Sequence, residues 1–422
     1  MSAPLATRIA DEFARAAPAL PARVVSRARR EHAVKVLLAQ GLPVSRDENW
    51  RYANLRSLER IRFAPATAEE STVSIAALPP PIAGYERYTY VDGVFVASLS
   101  NAVPAAIAGA DAARPEGSDE RFALLNQAFA TDAASIHLAA GDARERCVEV
   151  LCVAASEGTL AASYPRLEIR VEAGCRLTLI ERHVSIGSNA NFVNSAVSLV
   201  LARDAHVIHY RVQQLGARAT WIDTLDAAVE TDASYQQHLV QLGALSARST
   251  YRVRLAGARA AARLLALTSA DQHQTLDAYA LTEHAAPATL SEQVFRGIAA
   301  GRARVAYNGQ VTVCPGAAGA DSRQSLRGLL AGADAEIDLR PQLQINTDDV
   351  RCAHGATAGK LDDATLFYLL SRGLDPATAQ RLLKWAFLAD VAARIAVPEL
   401  RKSIERALAG RIEIAADLQE LL

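Results

Sequence analysis

Five cysteines in 422 residues, at positions 147, 152, 175, 314 and 352, are too few, too scattered and odd in number for a disulfide framework. None forms a CxxC pair of the kind that builds zinc sites, so a reducing cytoplasm is the expected setting. Net charge is also missing, since 45 basic and 46 acidic residues leave −1. Broad binding of nucleic acid or of an anionic membrane normally requires a basic excess, so neither partner is expected. No apolar run reaches the roughly 18 residues of a membrane span. The opening residues, Met-Ser-Ala-Pro-Leu-Ala-Thr-Arg-Ile-Ala-Asp-Glu-Phe, carry charge too early for a signal-peptide core. Apolar surface, by contrast, is plentiful. Half the residues are hydrophobic, enough for a large core shared over two or three domains.

Along the chain three regions separate. Residues 1–140 read as mostly helical. Leu5, Ile9, Phe13 and Ala16 recur at helical spacing, and a second helix fits Ala22–Leu42 with Gly41 as its stop. Trp50 and Tyr52 form an aromatic anchor for packing against the next domain. A connector follows from Pro65 to Pro81, and Asp92-Gly93 between alternating apolar residues is a type I′ hairpin turn. Phe122–Ala134 reads as a further helix. Residues 141–346 then lose the helical period. Short alternating runs such as Leu167-Glu-Ile-Arg-Val and Val197-Ser-Leu-Val-Leu are punctuated by small-residue corners, among them Glu172-Ala-Gly-Cys, Ala202-Arg-Asp-Ala, Glu230-Thr-Asp-Ala and Ala256-Gly-Ala-Arg. The corners recur about every 25–30 residues, the signature of stacked one-coil units. With few tight hairpins, this spacing favours a β-solenoid over a β-sandwich. From residue 347 to 422 the chain reads as helical again, with Asp362 or Asp363, Asp375-Pro376 and Pro398 as helix starts. The middle helix is apolar over most of its circumference, which suits either packing on its own neighbours or docking a partner.

The chemistry concentrates at Cys352 and His354. Two residues apart on an extended chain, they share a face, at the point where the β region hands over to the helical one. Two ligands do not complete a zinc or iron–sulfur site, which usually takes four. The rest would come from elsewhere in the fold or from another subunit. A Cys/His nucleophile is the enzymatic alternative, and a junction without chemistry is the structural one. Gly355-Ala-Thr-Ala-Gly-Lys360 fails as a phosphate loop, because three residues separate the glycines and Leu361 follows the lysine. His206 and His209 point to opposite sides of a strand and cannot share a metal.

Several stretches together carry a family resemblance. They are Trp50-Arg-Tyr with Leu55, Val294-Phe-Arg-Gly-Ile, Tyr307-Asn-Gly, Pro341-Gln-Leu-Gln-Ile, Asp348-Asp-Val-Arg-Cys-Ala-His-Gly-Ala-Thr-Ala-Gly-Lys-Leu-Asp and Phe367-Tyr-Leu-Leu-Ser-Arg-Gly-Leu. They resemble the SufB/SufD family of iron–sulfur cluster assembly scaffolds, most strongly over residues 294–395. Length and element order match its SufD branch better than the longer SufB branch. The resemblance implies a mainly β fold, a right-handed parallel β-helix flanked by N-terminal and C-terminal helical domains. It implies a non-catalytic scaffold subunit paired with SufB through β-helix surfaces. A SufC ATPase, which binds the ATP, would dock on the C-terminal helices, here Leu382, Leu383, Trp385, Phe387 and Leu388. A transient iron–sulfur cluster would sit at the SufB interface, with His354 as ligand and Cys352 as its accessory. A reduced flavin accompanies some family complexes, and no motif here locates it. The exposed β-helix edge would also allow a homodimer in the absence of SufB.

Overall fold

The structure is a computed structural model and describes residues 5–44, 46–66, 73–104, 120–141, 145–156 and 162–413. Its centre is a parallel β-helix of two facing sheets. Sheet A stacks Ala134–Leu138, Arg166–Val171, Phe192–Leu201, Thr220–Val229, Ser246–Leu255, Thr275–His284, Arg304–Val313 and Glu336–Ile345. Sheet B stacks Arg146–Ala154, Arg176–Ser185, His206–Gln214, Ser234–Gln241, Ala261–Ala270, Leu290–Ala299, Ala320–Leu330 and Val350–Gly359. Successive strands alternate between the sheets, so each coil gives one strand to each and pairs in register with the coils on either side.

The corners explain why this sequence coils. Asp204, Asp232, Arg259 and Ala288 adopt left-handed backbone with φ of 57, 60, 59 and 55°, a conformation that costs a non-glycine residue energy. A backbone ladder offsets that cost. Asp204 N–H donates to the Thr231 carbonyl, Asp232 to Ala258, Arg259 to Pro287 and Ala288 to Ala318. The next residue turns inward, and Ala205, Ala233 and Ala260 are buried there. At Gly257 the coils approach so closely that a Cβ would lie 1.9 Å from the Thr231 nitrogen.

The hairpin forms as its Asp-Gly turn predicts, between Glu86–Val91 and Val94–Phe95, with Asp92 and Gly93 at positive φ. Its first strand pairs in parallel with Arg146–Ala154, so the hairpin extends sheet B at the N-terminal end. Helix α1 (Leu5–Ala16), α2 (Arg27–Gln40) and α3 (Arg121–Phe129) pack together beside it through Ile9, Phe13, Leu37, Leu125 and Phe129. Helix α2 starts later than the apolar spacing suggests, because the Ser26 side chain caps it by accepting from Arg29 N–H. The expected connector lies partly outside the described residues, at 67–72. The Trp50 region packs on the outer face of sheet A. The Arg248 guanidinium lies over the Trp50 ring at 4.6 Å, Arg304 lies over Tyr52 at 5.3 Å, and Arg340 pairs with Glu48.

At the other end, α4 (Asp363–Ser371), α5 (Pro376–Ala392) and α6 (Pro398–Ile412) follow the last strand. The caps are Asp362 for α4 and Asp375 with Pro376 for α5. Helices α5 and α6 lie on the outer face of sheet B. There Leu388, Val391, Ile395, Leu400 and Ile404 meet Tyr210, Val240, Leu265, Val294 and Ile298, and Arg296 pairs with Asp390 at 2.7 Å. These helices therefore clad the β-helix rather than forming a separate C-terminal domain. The boundaries shift accordingly. Strands of the two sheets begin at Ala134 and continue to Gly359, beyond the 141–346 expected from the alternating pattern.

An ion cluster occupies the interior. Arg211 bridges Glu181 at 2.8 Å and Asp223 at 2.6 Å, His183 and His209 lie 2.7 and 3.1 Å from Glu181, and Ser195 and Ser249 donate to Asp223. Burial works to raise the Glu181 carboxyl, but Arg211, His183 and His209 outweigh it and hold it well below the usual range. Replacing Arg211 with Met leaves two buried carboxylates uncompensated. The expected loss is about 3–5 kcal/mol in urea unfolding. Arg259→Ala, which removes an exposed pair with Asp232, should leave the urea midpoint nearly unchanged.

Candidate functional site

Cys352 and His354 lie within the last strand of sheet B, Val350–Gly359, and not at a junction beyond it. In register, Cys352 stands opposite Ser322 and His354 opposite Gln324 on the preceding coil. Cys352 packs with Val311, Val313, Ala317 and Ala320 inside the coil. His354, two residues on, shares that inward face, with Cα atoms about 6.6 Å apart. No coil follows, so this inner face opens to solvent. Cys352 is half-buried and His354 exposed. The neighbouring edge strand of sheet A, Glu336–Ile345, is likewise only partly covered. Among the described residues, each terminal strand keeps one row of backbone donors and acceptors without a strand partner.

Burial pushes the Cys352 thiol up, the Asp321 carboxylate adds to the rise, and a hydrogen bond with the Ser322 backbone opposes it. A soft thiol and an imidazole on one face suit iron–sulfur or zinc chemistry. Among the described residues, no group of three or more His, Cys, Asp or Glu is placed to hold a metal ion. Cys352 and His354 are thus two donors on one face. Gly355 and Gly359 are strand residues with open space at their Cβ positions, so the region has no phosphate-loop geometry.

Two polar columns run beneath the pair, and the single-residue reading of the sequence missed both. Under Cys352, the Ser322 and Ser291 hydroxyls are 2.8 Å apart, and Ser291 reaches His284 Nε2 at 2.8 Å. His284 Nδ1 lies 2.8 Å from Thr289 Oγ1, which donates to the Ala286 carbonyl. Under His354, Gln324 and Gln293 are linked amide to amide at 2.9 Å. The contacts that join one coil to the next link residues 31 positions apart, so only inward alternation within successive coils could have suggested them. His209, read as an ordinary strand histidine, belongs to the interior ion cluster, whereas His206 faces outward toward Asp204 and Ser234.

The expected partner-docking residues divide. Leu388 is fully buried against the chain's own β-helix, which removes it from any docking surface. Trp385 and Phe387 are half-buried against the same cluster, and Leu382 and Leu383 are half-buried. Helix α4 differs. None of its residues is buried, and Phe367 and Tyr368 are 71% and 54% exposed. Among the described residues no helix is long and apolar enough to cross a membrane.

Fold and site together define a parallel β-helix with a thiol and an imidazole on one face of its open terminal coil. A family model described as "SUF system FeS cluster assembly, SufBD core domain" matches residues 152–387, more than half the chain. The iron-sulfur cluster assembly protein SufD of Escherichia coli (strain K12) is 27% identical over 385 residues, covering 89% of this chain and 90% of that protein. An iron-sulfur cluster assembly SufBD family protein of Synechocystis sp. is 28% identical over 410 residues, covering 91% and 90%. One from Mycobacterium tuberculosis (strain H37Rv) is 27% identical over 389 residues, covering 90% and 91%. The chain belongs to the SufBD family of SUF-system iron–sulfur cluster assembly proteins, and it is SufD-like.

The buried histidines set a pH dependence. Burial pushes His284 down to about 4, against the pull of Asp321 and a Thr289 hydrogen bond, and His238 falls to about 4 by burial and the nearby Arg394. Both are lowered, so between about pH 6.5 and 4 the unfolded chain binds protons that the folded chain refuses. Stability should fall across that window as pH drops, by at most about 1.4 kcal/mol per pH unit for each group. Stability measured by urea unfolding should depend less steeply on pH in His284→Gln than in the wild type, with His238 and His209, both also lowered by burial, among the groups that supply what remains.

Proposed function

We propose that the chain is a non-catalytic scaffold subunit of an ATP-dependent complex, sharing a nascent iron–sulfur cluster with a SufB-type partner. One observation carries this reading: a Cys/His pair sits on a terminal strand paired on one side only, with no third ligand beside it among the described residues. A chain that extends the open edge would satisfy the exposed backbone groups and bring further ligands to the same face. His354 would serve as ligand, with Cys352 beside it. The cluster is cargo, built here and passed on. An enzymatic use of the pair has less support, because the Cys352 thiol is pushed up, whereas nucleophilic thiols are pushed down.

The ATPase subunit would dock on α4. Phe367 and Tyr368 present an exposed aromatic pair, and the Arg372 guanidinium lies over the Tyr368 ring at 5.1 Å. Only residues 360–362 separate α4 from the strand that carries His354. A pull on α4 is thus delivered directly to the terminal coil, which would couple ATP turnover to the cluster site.

Two outcomes follow. His354→Ala should leave the subunits co-purifying but abolish accumulation of iron and acid-labile sulfide in the complex. Normal cluster build-up in that variant would end the ligand assignment. Phe367→Glu with Tyr368→Glu should lose the ATPase subunit on co-purification while leaving the thermal midpoint of the isolated chain unchanged. Leu388→Ala should instead lower stability by about 2–5 kcal/mol. Retained ATPase binding by the α4 double variant would move the docking surface elsewhere.

A further inference from the structure

The column beneath His354 ends in a polar atom with nothing to bind. Gln293 Nε2 donates to Thr282 Oγ1 at 3.1 Å and to the Gln310 carbonyl at 3.3 Å, leaving Gln293 Oε1 as an acceptor. Gln324 Nε2 donates to that Oε1 and to the Gly309 carbonyl, both at 2.9 Å. Two acceptors on the nitrogen fix which way the Gln324 amide points. Its Oε1 is consequently the free end, and it has no hydrogen-bond partner in a side chain only 4% exposed. The space for these amides is made by an absent side chain. A Cβ on Gly309 would stand 2.5 Å from Gln293 Oε1 and 3.0 Å from Gln324 Nε2.

A buried acceptor without a partner is costly, and the residue in register with Gln324 on the next coil is His354. Adjacent strands lie about 4.8 Å apart, so an inward imidazole meets the amide oxygen by rotation about its side-chain torsions. We propose that Gln324 is a positioning residue for His354: its Oε1 accepts the imidazole N–H, fixes one neutral tautomer, and leaves the other ring nitrogen facing the open end as a metal ligand. Orientation of a ligating histidine through its second nitrogen is a general requirement of metal sites. The Thr282–Gln293–Gln324 relay anchors this acceptor over the two preceding coils, so the ring is held by the body of the β-helix and not by its exposed last strand. This inference rests on the scaffold reading of His354.

The test uses the full-length chain with ring-15N histidine, above pH 8 where imidazoles are neutral. The His354 signals are assigned by their loss in His354→Gln. The wild type should show one protonated and one unprotonated ring nitrogen, at well-separated shifts. In Gln324→Met both shifts should move toward a common averaged value. In the assembled complex Gln324→Met should retain iron about 10–100-fold more weakly. Averaged shifts in the wild type would overturn the proposal without any variant, and so would unchanged shifts in Gln324→Met. Cluster build-up in the His354→Ala complex would sink the scaffold reading alone, whatever the tautomer measurement gives.

Discussion

A parallel coil cannot satisfy its own backbone. Every strand donates and accepts across to a strand of the coil above and the coil below, so the chain is internally complete only where both neighbours exist. At the N-terminal end the hairpin Glu86–Phe95 supplies an antiparallel terminus to sheet B, and the helices α1 to α3 pack beside it. At the C-terminal end neither Glu336–Ile345 nor Val350–Gly359 has a further strand beside it. The same asymmetry that leaves these donors and acceptors open also leaves the inward side chains of the last coil facing solvent. Cys352 and His354 sit where the stacking rule runs out, which places both side chains at the open end of the β-helix.

The interior cluster of Glu181, Arg211 and Asp223 addresses a different difficulty of the same architecture. Stacked parallel strands with uniform apolar interiors could slide, and a slip of one residue would turn each inward side chain outward. Arg211 bridges a strand of sheet B to a strand of sheet A and pairs with a carboxylate on each. A slipped register would bury those carboxylates without the guanidinium. Buried ion pairs seldom add net stability over apolar packing, and fixing register is their best-attested use. Gln213 adds to it by donating to the Gly243 carbonyl and accepting from Leu215 N–H, locking the strand end to the corner above it.

Local chemistry was legible and lateral chemistry was not. Corners showed because left-handed turns leave small or acidic residues at fixed places, and Asp92-Gly93 and Asp375-Pro376 showed because turn and cap geometry is set within a few residues. Cys352 and His354 were found because a two-residue spacing is a local fact. Gln324, Ser322 and His284 were not, since their relation to the site exists only through register between coils about 30 residues apart. The boundary error has a related cause. Val350–Gly359 is rich in Gly and Ala, which are poor strand formers, and it is a strand because the preceding coil templates it. The apolar circumference of α5 could not say which residues faced the chain's own core, and Leu388 proved to be the innermost.

The two sheets are secured unequally from outside, and this bears on what can move. Sheet A is clasped by Trp50, Tyr52 and Glu48 through Arg248, Arg304 and Arg340, a contact that reaches the edge strand itself. Sheet B is clad by α5 and α6 over its middle coils, and the cluster ends at Leu329 on the penultimate strand. The strand carrying His354 thus lies beyond the cladding, held by one neighbouring strand and by the inward contact of Cys352. Its outer face is bare and its continuation is α4, which buries nothing of its own. A force applied at α4 would meet one anchor first, Leu361, which packs against the cluster under α5 and α6, and then the terminal strand. On the scaffold reading, motion is confined to a single coil while the columns beneath it stay fixed, so Cys352 and His354 can shift relative to a partner without disturbing the core that aligns them.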